Sequence, residues 1–288
     1  MSLASMLRGL LDAPREIACA LPGRGGEGVQ VKLLCGNAQE RGRAKTYATK
    51  EPEMLLWLRK CTEPGEVLWD VGANVGLYSL YAARLGLEVV AFEPHIPNCA
   101  RLLQNIDLNG LAKEIQALPV CVSEGERFGG FFVSSLKPGT SIHRFSEYRT
   151  RISSVRLCDT TFLMECGYGI FSTTSDRLVR EWGFMEPHHI KIDTDGHEWH
   201  VLDGMKGLLG AAMANQRGFE SFPYAGRLKS VLMEVHDDEM GRARAFFRAY
   251  GFEEDADYPE TSREREKRRA REEGGRWAGT GNMVFRRL

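Results

Sequence analysis

One stretch restricts the fold of this chain more than any other: Leu68-Trp69-Asp70-Val71-Gly72-Ala73-Asn74-Val75-Gly76. An apolar run enters it from Val67, and Leu77-Tyr78-Ser79-Leu80-Tyr81-Ala82-Ala83 continues it with apolar residues at helical spacing. That order reads as strand, tight glycine turn, helix. Gly72 can take a positive φ or let a ligand approach its backbone. Free N–H groups at the helix start face the same spot. The arrangement predicts a nucleotide-type cofactor site at the end of the first strand of a doubly wound sheet.

A dinucleotide fingerprint requires G-x-G-x-x-G. With Gly72 as the second glycine, Asp70 and Val75 stand where the other two belong, so that register fails. The pattern is instead D-x-G-x-N-x-G. It resembles motif I of S-adenosylmethionine (SAM)-dependent methyltransferases, where an acid replaces the first dinucleotide glycine. SAM has no pyrophosphate to cradle, but its ammonium and sulfonium centres favour a carboxylate nearby. Downstream, Glu88-Val89-Val90-Ala91-Phe92 predicts a second strand ending in Glu93-Pro94. An acid there, roughly 20 residues past the glycines, is where ribose hydroxyls are held. An ionised carboxylate only accepts hydrogen bonds, which suits two hydroxyl donors. The competing reading is that Glu93 merely starts the next helix, opened by Pro94.

A chain of 288 residues favours one large α/β domain with insertions, with two domains as the alternative. A hydrophobic content of 43% supports a real core. The net charge of −1 gives no general pull toward nucleic acid or acidic membranes, and no apolar run reaches a transmembrane length. Met1 to Leu11 carries Arg8 inside a broken apolar pattern and reads as an amphipathic helix rather than a signal peptide. Seven cysteines without a C-x-x-C pair point to reduced thiols, a cytoplasmic location and no structural zinc.

Along the chain, residues 1–48 read as an N-terminal extension: a helix ending at Leu21-Pro22-Gly23, then a strand from Val29 to Leu34. Residues 49–288 form the main domain. Thr49-Lys50-Glu51-Pro52 opens a helix through Leu58, with acids in its first turn. Ile96 to Asn109 is an amphipathic helix ended by Gly110. Ile115 to Val122 is a strand interrupted by Pro119. Residues 125–174 break the alternation and read as a β-hairpin insertion, with Phe131-Phe132-Val133 and Ser153 to Leu157 as strands around the turn-rich tip Lys137-Pro138-Gly139-Thr140-Ser141. Variable loops on a rigid sheet carry specificity, so the insertion is expected on the acceptor side, with Ser134 to Arg151 ordering when acceptor binds. Strands at His189 to Asp193 and Ser230 to His236, with helices between and after them, restore the doubly wound pattern. A last strand at Gly251-Phe252 is expected to pair with Asn282 to Phe285. The charged loop, residues 259–281, contains a run from Thr261 to Glu273 whose interleaved Glu residues favour a solvated segment over a nucleic-acid arm.

A second constellation lies at the ends of the fourth and fifth strands. Asp193, Asp195, His197 and Glu198 follow one, and His236 ends the other. Ligands bind outside those ends in an open α/β sheet. Lys191, Asp193 and Asp195 share one face by strand parity, as do Glu234 and His236. Glu234, inside an apolar run, needs a partner if buried. The alternatives are a network that orients His236 or substrate, and an ion pair with Lys191 or an arginine.

Together Asp70 to Gly76, Ala91-Phe92-Glu93-Pro94 and Ile190-Lys191-Ile192-Asp193-Thr194-Asp195-Gly196-His197-Glu198 resemble the FkbM-type methyltransferases. The resemblance covers roughly Thr49 to His236 and Asn282 to Phe285. It departs at Asp195, where the family usually has Glu, and at His197. It implies a class I SAM-dependent methyltransferase whose seven-stranded, mostly parallel sheet ends in an antiparallel strand. It implies a cofactor site of Glu51, Asp70, Gly72, Ala73, Asn74, Gly76, Glu93, Pro94, Val122, Ser123 and Asp193. The implied reaction is methyl transfer to a hydroxyl oxygen of a small-molecule, sugar or glycolipid acceptor. An alcohol needs a base near neutral pKa. His236 is the first candidate, with Asp193 orienting it, and His197 the second. Asp193, Asp195 and Glu198 offer oxygen ligands that would suit magnesium or calcium, although no metal is expected. The rivals are an NAD(P)-dependent Rossmann-type oxidoreductase and a non-catalytic SAM-fold binding subunit.

Overall fold

The computed structural model describes residues 14–147, 154–157, 160–164, 166–216, 226–258, 264, 267–269, 272 and 279–287. The chain begins with β1 (Arg15–Pro22) and β2 (Gly28–Cys35), followed by α1 (Ala38–Thr46), α2 (Pro52–Cys61), β3 (Val67–Val71), α3 (Leu77–Arg84), β4 (Glu88–Phe92), α4 (Ile96–Asn109) and β5 (Ile115–Leu118). Next come β6 (Cys121–Val122), β7 (Arg127–Val133), β8 (His143–Glu147), β9 (Ser154–Leu157), β10 (Thr160–Leu163) and β11 (Cys166–Thr173). The remainder is α5 (Ser175–Arg180), β12 (His189–Ile192), α6 (Glu198–Asp203), α7 (Lys206–Gln216), β13 (Ser230–His236), α8 (Met240–Ala249), β14 (Phe252–Glu254) and β15 (Thr280–Arg287).

Seven strands form the main sheet in the order β14-β15-β13-β12-β3-β4-β5. β5, β4, β3, β12 and β13 are parallel, and β15 runs antiparallel to both its neighbours. The strand order reverses between β3 and β12, so the crevice expected of such a sheet opens there. Successive residues of β3 point to opposite faces. Leu68 joins a core with Trp57, Leu80 and Leu102, whereas Trp69 joins one with Leu209 and Phe247. Both faces are therefore covered, which is why β3 reads as an almost unbroken apolar run. Among the described residues no helix is long and apolar enough to cross a membrane.

One expectation about the N-terminal segment needs correction. Residues 15–22 are a strand, not the end of a helix, and they pair antiparallel with β2. The physical reason is tertiary. Burial alternates along both strands, with Cys19, Leu21, Val31, Leu33 and Cys35 inside, and α4 supplies polar partners to the free edge. Asn105 and Asn109 accept from the Leu34 and Lys32 amides at 2.8 and 2.9 Å, and Arg101 donates to the Leu34 carbonyl at 2.8 Å. Residues 1–13, where the amphipathic helix was expected, lie outside the described residues.

The insertion is more than one hairpin. β6, β11, β7 and β8 form a four-stranded sheet, and β9 pairs separately with β10. Phe131 to Val133 and the strand at 154–157 were expected to face each other but belong to different sheets; residues 148–153 lie outside the described residues. Pro119 cannot donate to a ladder, and it falls where the chain leaves β5 for the second sheet. Most of the charged run at 261–273 is also outside the described residues, although Lys267 Nζ lies 2.8 Å from Asp237 Oδ1.

At the end of the sheet away from the crevice, a polar chain ties α2 to the strand starts. Trp57 Nε1 donates to Ser230 Oγ at 2.9 Å, Ser230 Oγ lies 2.7 Å from His189 Nδ1, and His189 Nε2 lies 2.8 Å from Glu66 Oε2. The residue types imitate a hydrolytic relay. Ser230 and His189 are both buried, so the chain satisfies polar groups inside the core rather than presenting a nucleophile.

Candidate cofactor and active site

The Asp70–Gly76 turn is shaped by what presses on it. Gly72 has φ +82°, and a Cβ built there would lie 1.9 Å from the Asp193 carbonyl oxygen. The close approach is thus the backbone at the end of β12, in a conformation that only glycine adopts freely. Gly72→Ala is expected to destabilise the protein by at least about 1–3 kcal/mol; thermal melts that coincide with wild type would refute this account of the turn. Asn74 has φ +54°, which asparagine tolerates, and Gly76 has φ +93° where α3 begins.

Asp70 and Lys191 are direct cross-strand partners on β3 and β12. Lys191 Nζ lies 3.0 Å from Asp70 Oδ1, donates to the Gly72 carbonyl at 2.8 Å, and sits 3.8 Å from Asp193 Oδ2. Ser79 Oγ donates to the other Asp70 oxygen at 2.6 Å. Burial opposes the lysine charge, but Asp70 and Asp193 outweigh it and hold the pKa above the ordinary value. Asp70 is therefore committed inside the fold, and Lys191 is the cation at the hub of the crevice. A lysine within the wholly buried strand His189–Ile192 was the available signal for that role.

A cavity of about 290 Å³ opens at these strand ends. Among the residues expected in the site, Glu51, Gly72, Ala73, Asn74, Glu93, Pro94, Val122, Asp193, Asp195 and His197 line it. Asp70, Gly76, Ser123, Glu198 and His236 do not. Lys191, Tyr78, Glu234 and Thr280 add to the wall, as do Phe131, His143 and Phe145 of the insertion.

Glu93, just past β4, is buried at the cavity wall. Its Oε2 accepts the Asn74 amide at 2.6 Å and its Oε1 accepts the His95 amide at 2.8 Å. Each oxygen keeps a further lone pair. Burial raises its pKa to about 7 against the pull of those amides. The carboxylate thus supports the turn before α4 and still faces the cavity. Glu51 precedes α2, accepts from the Tyr78 hydroxyl and pairs with Lys50 at 3.0 Å. Burial opposes its ionisation, but Lys50 and Tyr78 prevail and its pKa falls below the ordinary value.

The second constellation divides by role. Glu198 Oε1 accepts from the Thr194 amide, the Thr194 hydroxyl and the Gly196 amide at 2.9, 3.0 and 3.1 Å, closing its own loop. Asp195, at φ +55°, accepts the Ile142 amide at 2.7 Å. Burial, with Asp193 beside it, raises its pKa to about 6. Among the described residues no group of three or more His, Cys, Asp or Glu could hold a metal ion. His197 Nε2 lies 2.9 Å from Ser123 Oγ, and its ring stacks on His200 with centroids 4.4 Å apart. Burial, then His200, lowers its pKa to about 3, so the ring is neutral.

Glu234 stands one step past the Ile192–Met233 pair, beside Asp193. Among the described residues its hydrogen-bond partner is neither Lys191 nor an arginine: Thr280 Oγ1 donates to Oε1 at 2.6 Å from the antiparallel β15. Burial first, then Asp193, raises its pKa to about 8. His236 ends β13 two residues farther on and precedes a turn, beyond the cavity wall.

Residues 70–254 match the family profile described as the methyltransferase FkbM domain. The chain is 26% identical over 160 residues to the hexuronic acid methyltransferase AglP of Haloferax volcanii, covering 55% of this chain and 58% of that protein. It is 25% identical over 209 residues to the 31-O-demethyl-FK506 methyltransferase FkbM of Streptomyces tacrolimicus, covering 66% and 73%. Similarity to the AMB antimetabolite synthetase AmbE of Pseudomonas aeruginosa, 27% over 220 residues, spans 66% of this chain and 10% of that one. The chain thus covers less than two thirds of both AglP and AmbE. Among solved structures, the methyltransferase FkbM from Methylobacillus flagellatus is 14% identical, with a TM-score of 0.43 over 86% of this chain and 53% of that one.

Proposed function

The chain belongs to the FkbM methyltransferase family, and from that premise we propose that it transfers a methyl group from SAM to a hydroxyl oxygen of a small-molecule or sugar acceptor. The observation that carries this reading is Glu93, a buried carboxylate facing the cavity with acceptor capacity beyond its two backbone amides. Its place beyond the glycine turn is that of a ribose-binding acid. Two further wall carboxylates, Glu51 and Asp193, fit a ligand that brings positive charge. When bound, SAM supplies a methyl group already activated on sulfonium.

In this reading Glu93 would hold the ribose, Ala73 and Asn74 would border it, and Pro94 and Val122 would flank the base. Asp193 and Glu51 would face the cationic end. Asp70 would act through Lys191, whose contacts with Gly72 and Asp193 fix the turn and the end of β12 relative to each other. The acceptor proton would pass to Glu234 rather than to His236, because Glu234 is on the cavity wall. Its environment raises its pKa toward the range a general base needs. His197 is held by Ser123 and is too weakly basic to compete. The name of one relative, a 31-O-demethyl-FK506 methyltransferase, supports oxygen as the target, and that of another, a hexuronic acid methyltransferase, supports a sugar acid as one acceptor class.

Isothermal titration with SAM, with NAD as the comparison ligand, tests the cofactor. Glu93→Ala is expected to weaken SAM binding by about 1.5–3 kcal/mol through lost charged hydrogen bonds. Unchanged SAM affinity in that variant, or NAD binding in place of SAM, would remove the reading. Transfer of labelled methyl from SAM to hexuronic acids or to polyketide alcohols then identifies the acceptor class.

A further inference from the structure

The geometry points to the insertion as the base side of the cofactor site, with His143, Phe131 and Phe145 enclosing the purine of SAM, rather than as an acceptor-side lid. This rests on the SAM reading above. The insertion sheet is built onto the strand that leaves the cavity: β6 pairs in parallel with β11 through Cys121–Ser172 and Val122–Thr173. Its tip is bonded to the elements that surround Glu93. Asn74 and Asn98 both donate to the Thr140 carbonyl, at 2.9 and 3.1 Å, and the Gly139 amide donates to Asn98 Oδ1 at 2.8 Å. The Ile142 amide closes onto Asp195. A tip held on the glycine turn, on α4 and on the Asp195 loop is a wall.

The inner surface of that wall suits an aromatic base with polar edges. Phe131, His143 and Phe145 share the cavity with Pro94 and Val122. The His143 ring lies 5.8 Å from Phe131 and 4.2 Å from His95 between centroids. Both His143 ring nitrogens are buried, and among the described residues neither completes a hydrogen bond of good geometry. Burial and the neighbouring His95 lower the pKa of His143 to about 3, against the pull of the Thr140 carbonyl, so the ring is neutral. A neutral imidazole carries one donor and one acceptor. A purine edge with an exocyclic amine beside a ring nitrogen offers the complement, and the phenylalanine rings offer stacking surface.

The test is titration of the full chain with S-adenosylhomocysteine, adenosine and L-methionine. H143A is expected to weaken S-adenosylhomocysteine and adenosine about 10-fold or more, to leave L-methionine unchanged, and to melt near wild type. H143Q, which again supplies a donor and an acceptor, should recover part of the loss. Adenosine bound by folded H143A as tightly as by wild type, or equal losses for adenosine and L-methionine, overturns the assignment. A wild-type protein that fails to bind S-adenosylhomocysteine at all removes the underlying methyltransferase reading instead.

Discussion

Glutamine in place of Glu234 is expected to lower kcat by about 10²–10⁴-fold, the usual worth of a general base, while SAM affinity stays near wild type. The residue is on the cavity wall, its Oε1 is occupied by the Thr280 hydroxyl, and burial beside Asp193 raises its pKa to about 8. Glutamine keeps the shape and the Thr280 contact but cannot take a proton. The wild-type rate should rise with pH through this group's pKa, and a cationic ligand nearby should move the midpoint lower. Stability gives a second readout. The folded chain holds a proton that the unfolded chain releases between the ordinary value of 4.5 and about 8. Stability from this group is therefore full at the acid end and declines as pH rises through that window. In the ligand-free protein, Glu234→Gln should gain on wild type over the same range. His236→Ala serves as the contrast and should leave kcat close to wild type. The reverse pattern, an active Glu234→Gln beside an inactive His236→Ala, would return the base to His236.

Lys191→Met is expected to cost about 3–5 kcal/mol of folding stability, because among the described residues it leaves the buried Asp70 carboxylate with the Ser79 hydroxyl but no counter-ion. The same change removes a donor from the Gly72 carbonyl. Urea unfolding measures the loss directly. Adding Asp70→Asn should recover part of it, since the neutral amide no longer needs a counter-ion. A loss below about 1 kcal/mol in the single variant would mean that Asp70 is relieved by some other route, and the view of Lys191 as the hub of the crevice would fall.

The strand–turn–helix at Asp70–Gly76 was legible because one local feature, a glycine turn between two apolar patterns, leaves few conformations open. The expected pairing of Phe252 with the closing strand is also observed, as β14 against β15. The N-terminal segment was misread because a short run such as Ile17-Ala18-Cys19-Ala20-Leu21 carries both a helical and an alternating pattern. The choice fell to Asn105, Asn109 and Arg101 on α4, roughly 70 residues and more away in sequence, which receive and supply hydrogen bonds along β2. The insertion was misread for a similar reason. β7 has two partners, β8 and β11, and nothing local distinguishes the nearer from the farther.

For the site, pattern and parity in the sequence alone put Gly72 after β3, Glu93 after β4, Asp193 after β12, and both Glu234 and His236 near the end of β13, with His236 as the first choice for the base. The sequence determined the family as well, because those motifs occur together in one order. Tertiary structure decided what each carboxyl is free to do. Asp70 and Glu198 share the acidity of Glu93 and Glu234, yet Asp70 is taken by Lys191 and Ser79, and Glu198 by its own loop. It also chose Glu234 over His236 for the cavity wall and set the Thr280 hydroxyl against it from β15. The reason is physical: a residue's type fixes its ordinary pKa and hydrogen-bonding capacity, but burial and partners from distant strands fix how much of either remains available.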